Sequence, residues 1–321
     1  MAKSSSVFLG IEIGGTKLQL ALGRADGKFL AVERRVIHPE RGCSSILAQI
    51  EEAYQDLLHR GLGRPTAVGI GFGGPVVVTR GVVVKSHQVE GWDDFPLAEW
   101  TSQALGIDRV SVENDADTAG LGEVRQGIGR GLSPVFYVTI GSGIGGGLIL
   151  NGKIYRGSGL GAGEIGHIWV DMANVPPRKL ESIASGWSIG EAGRAAFDAV
   201  NQTGVMEQLA SGDRSKVDAI IVAAAASMGD SRAMNIMRDA TQAMGRALAH
   251  VVTLLAPRRI VLGGGVSLLG EDLWIRPIMK ELESYSFPPY HGTFDLVTTK
   301  LGEEVVLHGA LELASDHEPA S

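Results

Sequence analysis

A single cysteine, Cys43, stands in a chain of 321 residues, so no internal disulfide can form and nothing calls for an oxidising compartment. Long apolar runs are missing too. The most apolar stretches, residues 135–140 and 251–255, fall far short of the ~20 residues that cross a bilayer. Residues 1–10 lack the basic start and apolar core of a secretion signal, so the expected location is cytoplasmic. There is no long basic run and the formal charge is -7, which removes the electrostatic footprint of a nucleic-acid binder. The first glycine turn is neither a P-loop nor a Rossmann fingerprint. No Gly-Lys-Ser/Thr follows a spaced glycine, and the first glycine turn leads into a strand rather than a helix.

What the chain has in excess is glycine, 45 of 321 residues, roughly twice the ordinary share, in clusters without a period. Hydrophobic residues make up 44% and charged residues 20%, the balance of a globular protein, and the length predicts two lobes. The pattern predicts strands over 7–13, 18–22 and 29–36, a helix over 43–60 and a strand over 67–72. A helix over 96–105, a strand over 109–113 and a helix over 115–122 opened by an acidic cap follow. A second strand-rich section starts at 135–140, breaks over 141–147 and resumes at 148–150 before the hairpin signal Asn151-Gly152. Helices over 195–199, 217–226 and 234–255 precede a strand over 259–262, and residues 315–321 read as a frayed tail. The fold class is therefore α/β.

Three apolar strands run into glycine turns: Gly14-Gly15-Thr16-Lys17, Gly141-Ser142-Gly143, and Gly263-Gly264-Gly265-Val266. Such turns offer consecutive backbone N–H groups, and here a hydroxyl, to a phosphate, because a Cβ would block the approach. Each alone reads equally as a plain hairpin. Ile13-Gly14-Gly15-Thr16 and Ile140-Gly141-Ser142-Gly143 are also alike, a short hint of two related halves.

Phosphoryl transfer to a hydroxyl needs a carboxylate to take the proton. Asp115, where the strand over 109–113 passes into a helix, is the candidate base; its alternative role is to cap that helix. Asn114 beside it supplies a donor and an acceptor. The glycine-rich segment 157–166 delivers Glu164 and His167, which suit vicinal hydroxyls or a purely structural role. Glu181 reads as an acid at a helix N-terminus.

These motifs, in this order over nearly the whole chain, resemble the ROK family of bacterial sugar kinases, which contains glucokinases, fructokinases and N-acetylmannosamine kinases. Residues 10–17 and 141–147 resemble its two phosphate motifs, 113–117 its catalytic motif, 164–167 its sugar motif and 263–266 its adenosine motif. The resemblance implies the two-lobed actin-like ATPase (ribonuclease H-like) fold. It implies a small lobe of residues 1–114 with a C-terminal helix at 302–321, a large lobe of 115–301, and a sugar cleft between them. It further implies ATP and Mg2+ as cofactors, a small-molecule sugar as substrate, a homodimer, and no nucleic-acid or membrane partner. Asp115 would be the general base, and Gly74, Asn114, Asp115, Glu164, His167 and Glu181 would bind sugar. Gly14, Gly15, Thr16, Lys17, Gly141, Ser142, Gly143, Gly264 and Gly265 would hold the nucleotide.

Three departures from the family pattern stand out. Glu12 replaces the family's Asp in the first motif, so it would reach Mg2+ through water. The three-cysteine zinc loop after the motif His is absent, and His167 alone cannot make a tetrahedral site, so no structural zinc is expected. His87-Gln88-Val89 replaces the family's Pro-Asn-Leu ahead of Gly91-Trp92. Two alternatives to a sugar kinase follow. A catalytically weak sugar-binding or regulatory relative would fit these departures. A sugar-sensing repressor would need a DNA-binding segment ahead of the first strand, for which six residues leave no room.

Overall fold

The computed structural model describes residues 6–86, 88–159, 161–171, 176–198 and 204–316. His87 and residues 317–321 of the expected tail lie outside them. The chain opens with β1 (Val7–Ile13), β2 (Lys17–Gly23) and β3 (Phe29–Val36), then α1 (Gly42–His59) and β4 (Pro65–Phe72). The short strands β5 (Val76–Val77) and β6 (Val82–Val83) precede α2 (Leu97–Leu105), β7 (Val110–Asn114) and α3 (Asp115–Arg125). Next come β8 (Val135–Ile140), β9 (Ile144–Leu150), β10 (Lys153–Ile154), β11 (Trp169–Asp171) and β12 (Arg178–Lys179). Helices α4 (Glu181–Ala184), α5 (Gly186–Ala196), α6 (Val205–Leu209), α7 (Ala219–Ser227) and α8 (Ser231–Leu255) follow. The chain ends with β13 (Arg259–Gly263), α9 (Arg276–Tyr285), β14 (Asp295–Thr298) and α10 (Val305–Ser315).

Among the described residues, one compact unit gathers those within Met1–Leu132, Gly147–Ala162 and Lys300–Ser321, and a second those within Ser133–Gly146 and Gly163–Thr299. The first unit holds α3, the part of β9 from Gly147 onward, β10 and α10.

In the first unit the sheet order is β3-β2-β1-β4-β7. β1 and β2 pair antiparallel, whereas β4 lies parallel to β1 and β7 parallel to β4. All seven residues of β1 are buried, which explains a run that is apolar but for Glu12 in place of an alternating one. Helix α1 turns Ile46, Ile50, Ala53, Tyr54 and Leu57 inward, the 3.6-residue stripe of a helix packed on a sheet. Helix α10 packs against α3, β1 and β4. The approach is close: a Cβ on Gly309 would stand 1.7 Å from the Thr118 carbonyl oxygen, so part of the glycine excess serves packing alone.

In the second unit β8, β13 and β14 are parallel. The 25-residue helix α8 is capped by Asp230, whose side chain accepts from the Arg232 and Ala233 N–H groups. Arg232 binds both Glu207 oxygens at 2.8 and 2.7 Å and Asp230 at 3.1 Å. That guanidinium holds the Glu207 carboxyl below its usual range.

Two expectations are corrected. Gly145, Gly146 and Gly147 are not a break in the chain but part of β9, because close neighbours leave no room for side chains: a Cβ on Gly146 would meet the Gly163 carbonyl at 2.3 Å. The helix expected over 195–199 begins at Gly186, capped by Ser185 accepting from the Ser188 N–H at 3.1 Å, and its expected last residue lies outside the described ones.

Candidate active site

In the first unit, the C-terminal ends of three parallel strands meet. The Gly73 N–H, just past β4, donates to the Ile13 carbonyl at the end of β1 at 2.9 Å. A Cβ on Gly73 would lie 3.5 Å from Asp115 Oδ2 and 3.6 Å from the Gly14 Cα. The β1–β2 turn, the Gly73-Gly74 turn and the β7–α3 junction therefore share one spot. Carboxyl ends of parallel strands are where α/β sheets bind ligands.

Asn114, not Asp115, caps α3: its Oδ1 accepts from the Ala116 N–H at 2.9 Å and the Asp117 N–H at 3.3 Å. Its Nδ2 donates to the Gly74 carbonyl at 3.2 Å. This corrects the acidic cap expected from the sequence, because the side chain one position earlier has the cap's extended backbone, φ -62 and ψ 148. Asp115 is the first residue of the helix. It is half-buried, and its Oδ1 accepts from the Ala116 N–H at 2.8 Å, which fixes the carboxylate's direction. Gly74, Asn114 and Asp115 are thus brought together.

The first glycine turn closes with the Gly14 N–H donating to the Lys17 carbonyl at 2.9 Å, and Thr16 is exposed at its tip. Lys17 does not extend from the turn. Its ammonium pairs with Glu12 Oε1 at 3.3 Å and donates to the Glu303 carbonyl at 3.2 Å. Glu12 is buried, with Oε2 accepting from Gln19 Nε2 at 2.7 Å. Burial raises the Glu12 pKa, opposed by Lys17 and the Gln19 hydrogen bond. Gln19 in turn accepts from Arg34 Nε at 2.8 Å, and Arg34 pairs with Glu304. Gln88, one of the departures from the family pattern, lies against the same turn: a Cβ on Gly15 would overlap its amide oxygen.

In the second unit, the Gly141–Gly143 turn closes with the Gly141 N–H donating to the Gly143 carbonyl at 3.0 Å. The Gly186 N–H donates to the Gly141 carbonyl at 2.8 Å, and Glu181 Oε2 accepts from the Ile144 N–H at 2.7 Å. Glu181 and the second glycine turn are therefore one assembly. Gly264 adopts φ +81, and a Cβ there would crowd the backbone of Ile140 at 2.5–2.7 Å, so only glycine fits where the third turn backs onto the second. Gly141 and Gly265 both face open space. Ser142, Glu164 and His167 are exposed. His167 Nδ1 lies 3.4 Å from the Lys179 ammonium, which also sits 5.4 Å from the Trp169 ring centroid. Arg178 clasps Asp171 Oδ2 at 2.7 and 3.0 Å across the β11–β12 pair. Among the described residues no cluster of three or more His, Cys, Asp or Glu could hold a metal ion.

Sequence reasoning placed Glu113 in the 113–117 motif without a role of its own and passed over Arg156. Glu113 is buried on β7, and Arg156 Nε donates to its Oε1 at 2.5 Å, with a second guanidinium nitrogen pairing to the same oxygen. Burial raises the Glu113 pKa and Arg156 opposes the rise. The only signal was an acid at an otherwise apolar strand position.

The mixed α/β fold is that of the two-lobed actin-like ATPase class, shared with solved ROK sugar kinases. Residues 8–317 match the model of the ROK family, and the chain belongs to that family. It is 31% identical over 314 residues to a glucokinase of Thermotoga maritima, covering 96% of this chain and 97% of that one. It is 30% identical to a glucokinase of Halalkalibacterium halodurans over 97% of this chain and 96% of the relative. A solved ROK family glucokinase from Streptomyces griseus, in complex with glucose and AMPPNP, superposes with a TM-score of 0.83 at 29% identity, covering 97% of this chain and all of that one.

Proposed function

We propose that this protein is an ATP-dependent sugar kinase that phosphorylates a hydroxyl of a hexose or amino sugar, with Asp115 as general base. The observation that carries the reading is the placement of Asp115: half-buried, at the first position of α3, beside Gly73 and the Gly14 turn at the ends of three parallel strands. With Oδ1 held by the Ala116 N–H, the carboxylate is oriented to receive the acceptor hydroxyl's proton as the hydroxyl attacks the γ-phosphorus. Gly74, Asn114, Glu164, His167 and Glu181 are assigned to sugar hydroxyls. Gly14, Gly15, Thr16, Lys17, Gly141, Ser142 and Gly143 are assigned to phosphates, and Gly264 and Gly265 to the nucleoside, in keeping with the open space at Gly265.

The reading also implies Mg2+. Both Glu12 oxygens are engaged, by Gln19 and Lys17, so Glu12 suits a role through water. Mg2+ keeps several waters and is held largely by substrate phosphates, so an ion that arrives with the nucleotide would need only a water-mediated contact to Glu12. When bound it would neutralise phosphate charge. We further assign the protein to the cytoplasm, in line with the absence of any described helix long and apolar enough to cross a membrane. A homodimer is proposed as well; light scattering giving about twice 33.8 kDa would support it, and a monomer mass would remove it.

The test is a coupled ADP-release assay over a panel of hexoses and amino sugars, with Asp115→Ala as control. Sugar-dependent turnover that falls by about 10²–10⁴ in the variant is expected. Absence of turnover with every sugar, or turnover undiminished in the variant, would sink the proposal. The second reading, a weak sugar-binding protein, is favoured by the internal engagement of Glu12, Lys17 and Glu181. Calorimetry showing nucleotide and sugar binding with no phosphorylated product would select it.

A further inference from the structure

Glu113 is 1% exposed, and an ionised carboxylate is kept in such a place only with a partner. Its partner comes from a distant part of the chain. Arg156 follows β10 at the head of the glycine-rich segment that continues into Glu164, and both its contacts fall on Glu113 Oε1. Oε2 is buried with no hydrogen-bond partner. The pair holds two pieces together at the working end of the first unit. Glu113 is followed directly by Asn114 and Asp115, and in the β4–β7 register Glu113 lies opposite Gly71 and Asn114 opposite Phe72, one residue before Gly73.

A second contact ties the same hairpin to the same junction. A Cβ on Gly147 of β9 would lie 2.7 Å from the Ala116 carbonyl and 2.9 Å from the Asp117 Cα. The β9–β10 hairpin thus rests on the first turn of α3 at one point and grips β7 through Arg156 at another. Beside the ion pair is a cavity of about 310 Å³ whose lining includes Thr79, Arg80, Ser111 and Leu313 as well as Glu113 and Arg156. Arg156, with 41% of its side chain exposed, closes one side of it.

From this we infer that Arg156 and Glu113 are positioning residues, an ion pair that sets the β7–α3 junction and with it the direction of the Asp115 carboxylate toward the acceptor hydroxyl. The inference rests on the kinase reading above. A misplacement of about 1 Å costs a reaction of this kind about 10²-fold, so the pair should act on kcat far more than on binding.

The experiment is steady-state kinetics of Arg156→Ala, Arg156→Lys and Glu113→Gln on the sugar that the wild-type chain turns over best. Arg156→Ala and Glu113→Gln should each lower kcat about 10- to 100-fold with KM for ATP changed less than about threefold, and their double variant should be no worse than either alone. Arg156→Lys, which keeps the charge and loses the fork, should fall between. The neighbouring cavity has room for free guanidinium, so tens of millimolar of that ion should raise kcat of Arg156→Ala several-fold while leaving wild type and Arg156→Lys unstimulated. Melting temperatures taken alongside separate positioning from folding: guanidinium rescue of kcat without a rise in melting temperature is the expected result. Normal kinetics in Arg156→Ala, or additive losses without rescue, overturn the inference and leave the kinase reading intact. A wild-type chain that phosphorylates no sugar overturns both.

Discussion

The two phosphate-type turns, Gly14–Lys17 in the first unit and Gly141–Gly143 in the second, begin from nearly the same residues and are secured in opposite ways. The first is fastened by charge: buried Glu12 faces Lys17 at 3.3 Å, and the Glu12–Gln19–Arg34 chain carries the fastening to Glu303 and Glu304 ahead of α10. The second is fastened through its backbone groups, with no ion pair to it among the described residues: the Gly141 carbonyl accepts from the Gly186 N–H, and the Ile144 N–H donates to the Glu181 carboxylate from α4. A charge-fastened turn depends on pH and on every member of its network. A turn fastened through its backbone groups depends on a few hydrogen bonds, here one of them to a carboxylate, and on glycine.

Removing the cation should break this contrast most strongly. Lys17→Met leaves Glu12 buried and less compensated, and since Lys17 is one-third exposed the expected loss is about 2 kcal/mol. In a Glu12→Gln background the same change should cost about 0.5 kcal/mol or less. Urea denaturation of the four species measures this, and equal costs in both backgrounds would show that the pair does not couple. Next in size is Glu181→Ala, which orphans the Ile144 N–H, with an expected loss of about 1–2 kcal/mol. A loss insensitive to Lys17→Met would show the two turns to be independent.

The smallest effect sharpens the comparison by pH. Burial raises the folded pKa of Glu12 above its ordinary 4.5, so the stability linked to Glu12 is fully present below about pH 4.5 and is lost as pH rises through the raised folded value. Glu12→Gln should therefore be as stable as wild type in mild acid and more stable by a few tenths to about 1 kcal/mol at pH 8. Melting temperatures of both proteins between pH 5 and pH 8 test it. A difference that grows toward acid would reverse the sign and contradict the burial argument.

Much of the fold was legible because its strands are apolar runs that stop at glycines. The ends of β1, β4, β8 and β13 fall at or within a residue or two of those read from the sequence. What was not legible has two physical sources. Glycine reads as a turn, yet Gly145–Gly147 continue β9, where the neighbours of Gly146 and Gly147 come too close for a Cβ, a fact of tertiary packing. Long-range polar contacts leave no local trace: nothing near Gln19 points to the Glu303 carbonyl, and nothing near Glu113 points to Arg156. In the candidate site, Asn114 and Asp115 were legible as a pair and their division of labour was not, since capping depends on which residue keeps extended backbone.

The central claim is that Asp115 takes a proton in the chemical step, and Asp115→Asn tests it most directly. Its amide keeps the shape and the hydrogen bond from the Ala116 N–H but is not basic. With sugar and nucleotide affinities measured by calorimetry and kcat measured at saturation, the expected result is affinities within a few-fold of wild type and kcat lower by about 10³. A variant that retains kcat within about tenfold of wild type would contradict the account.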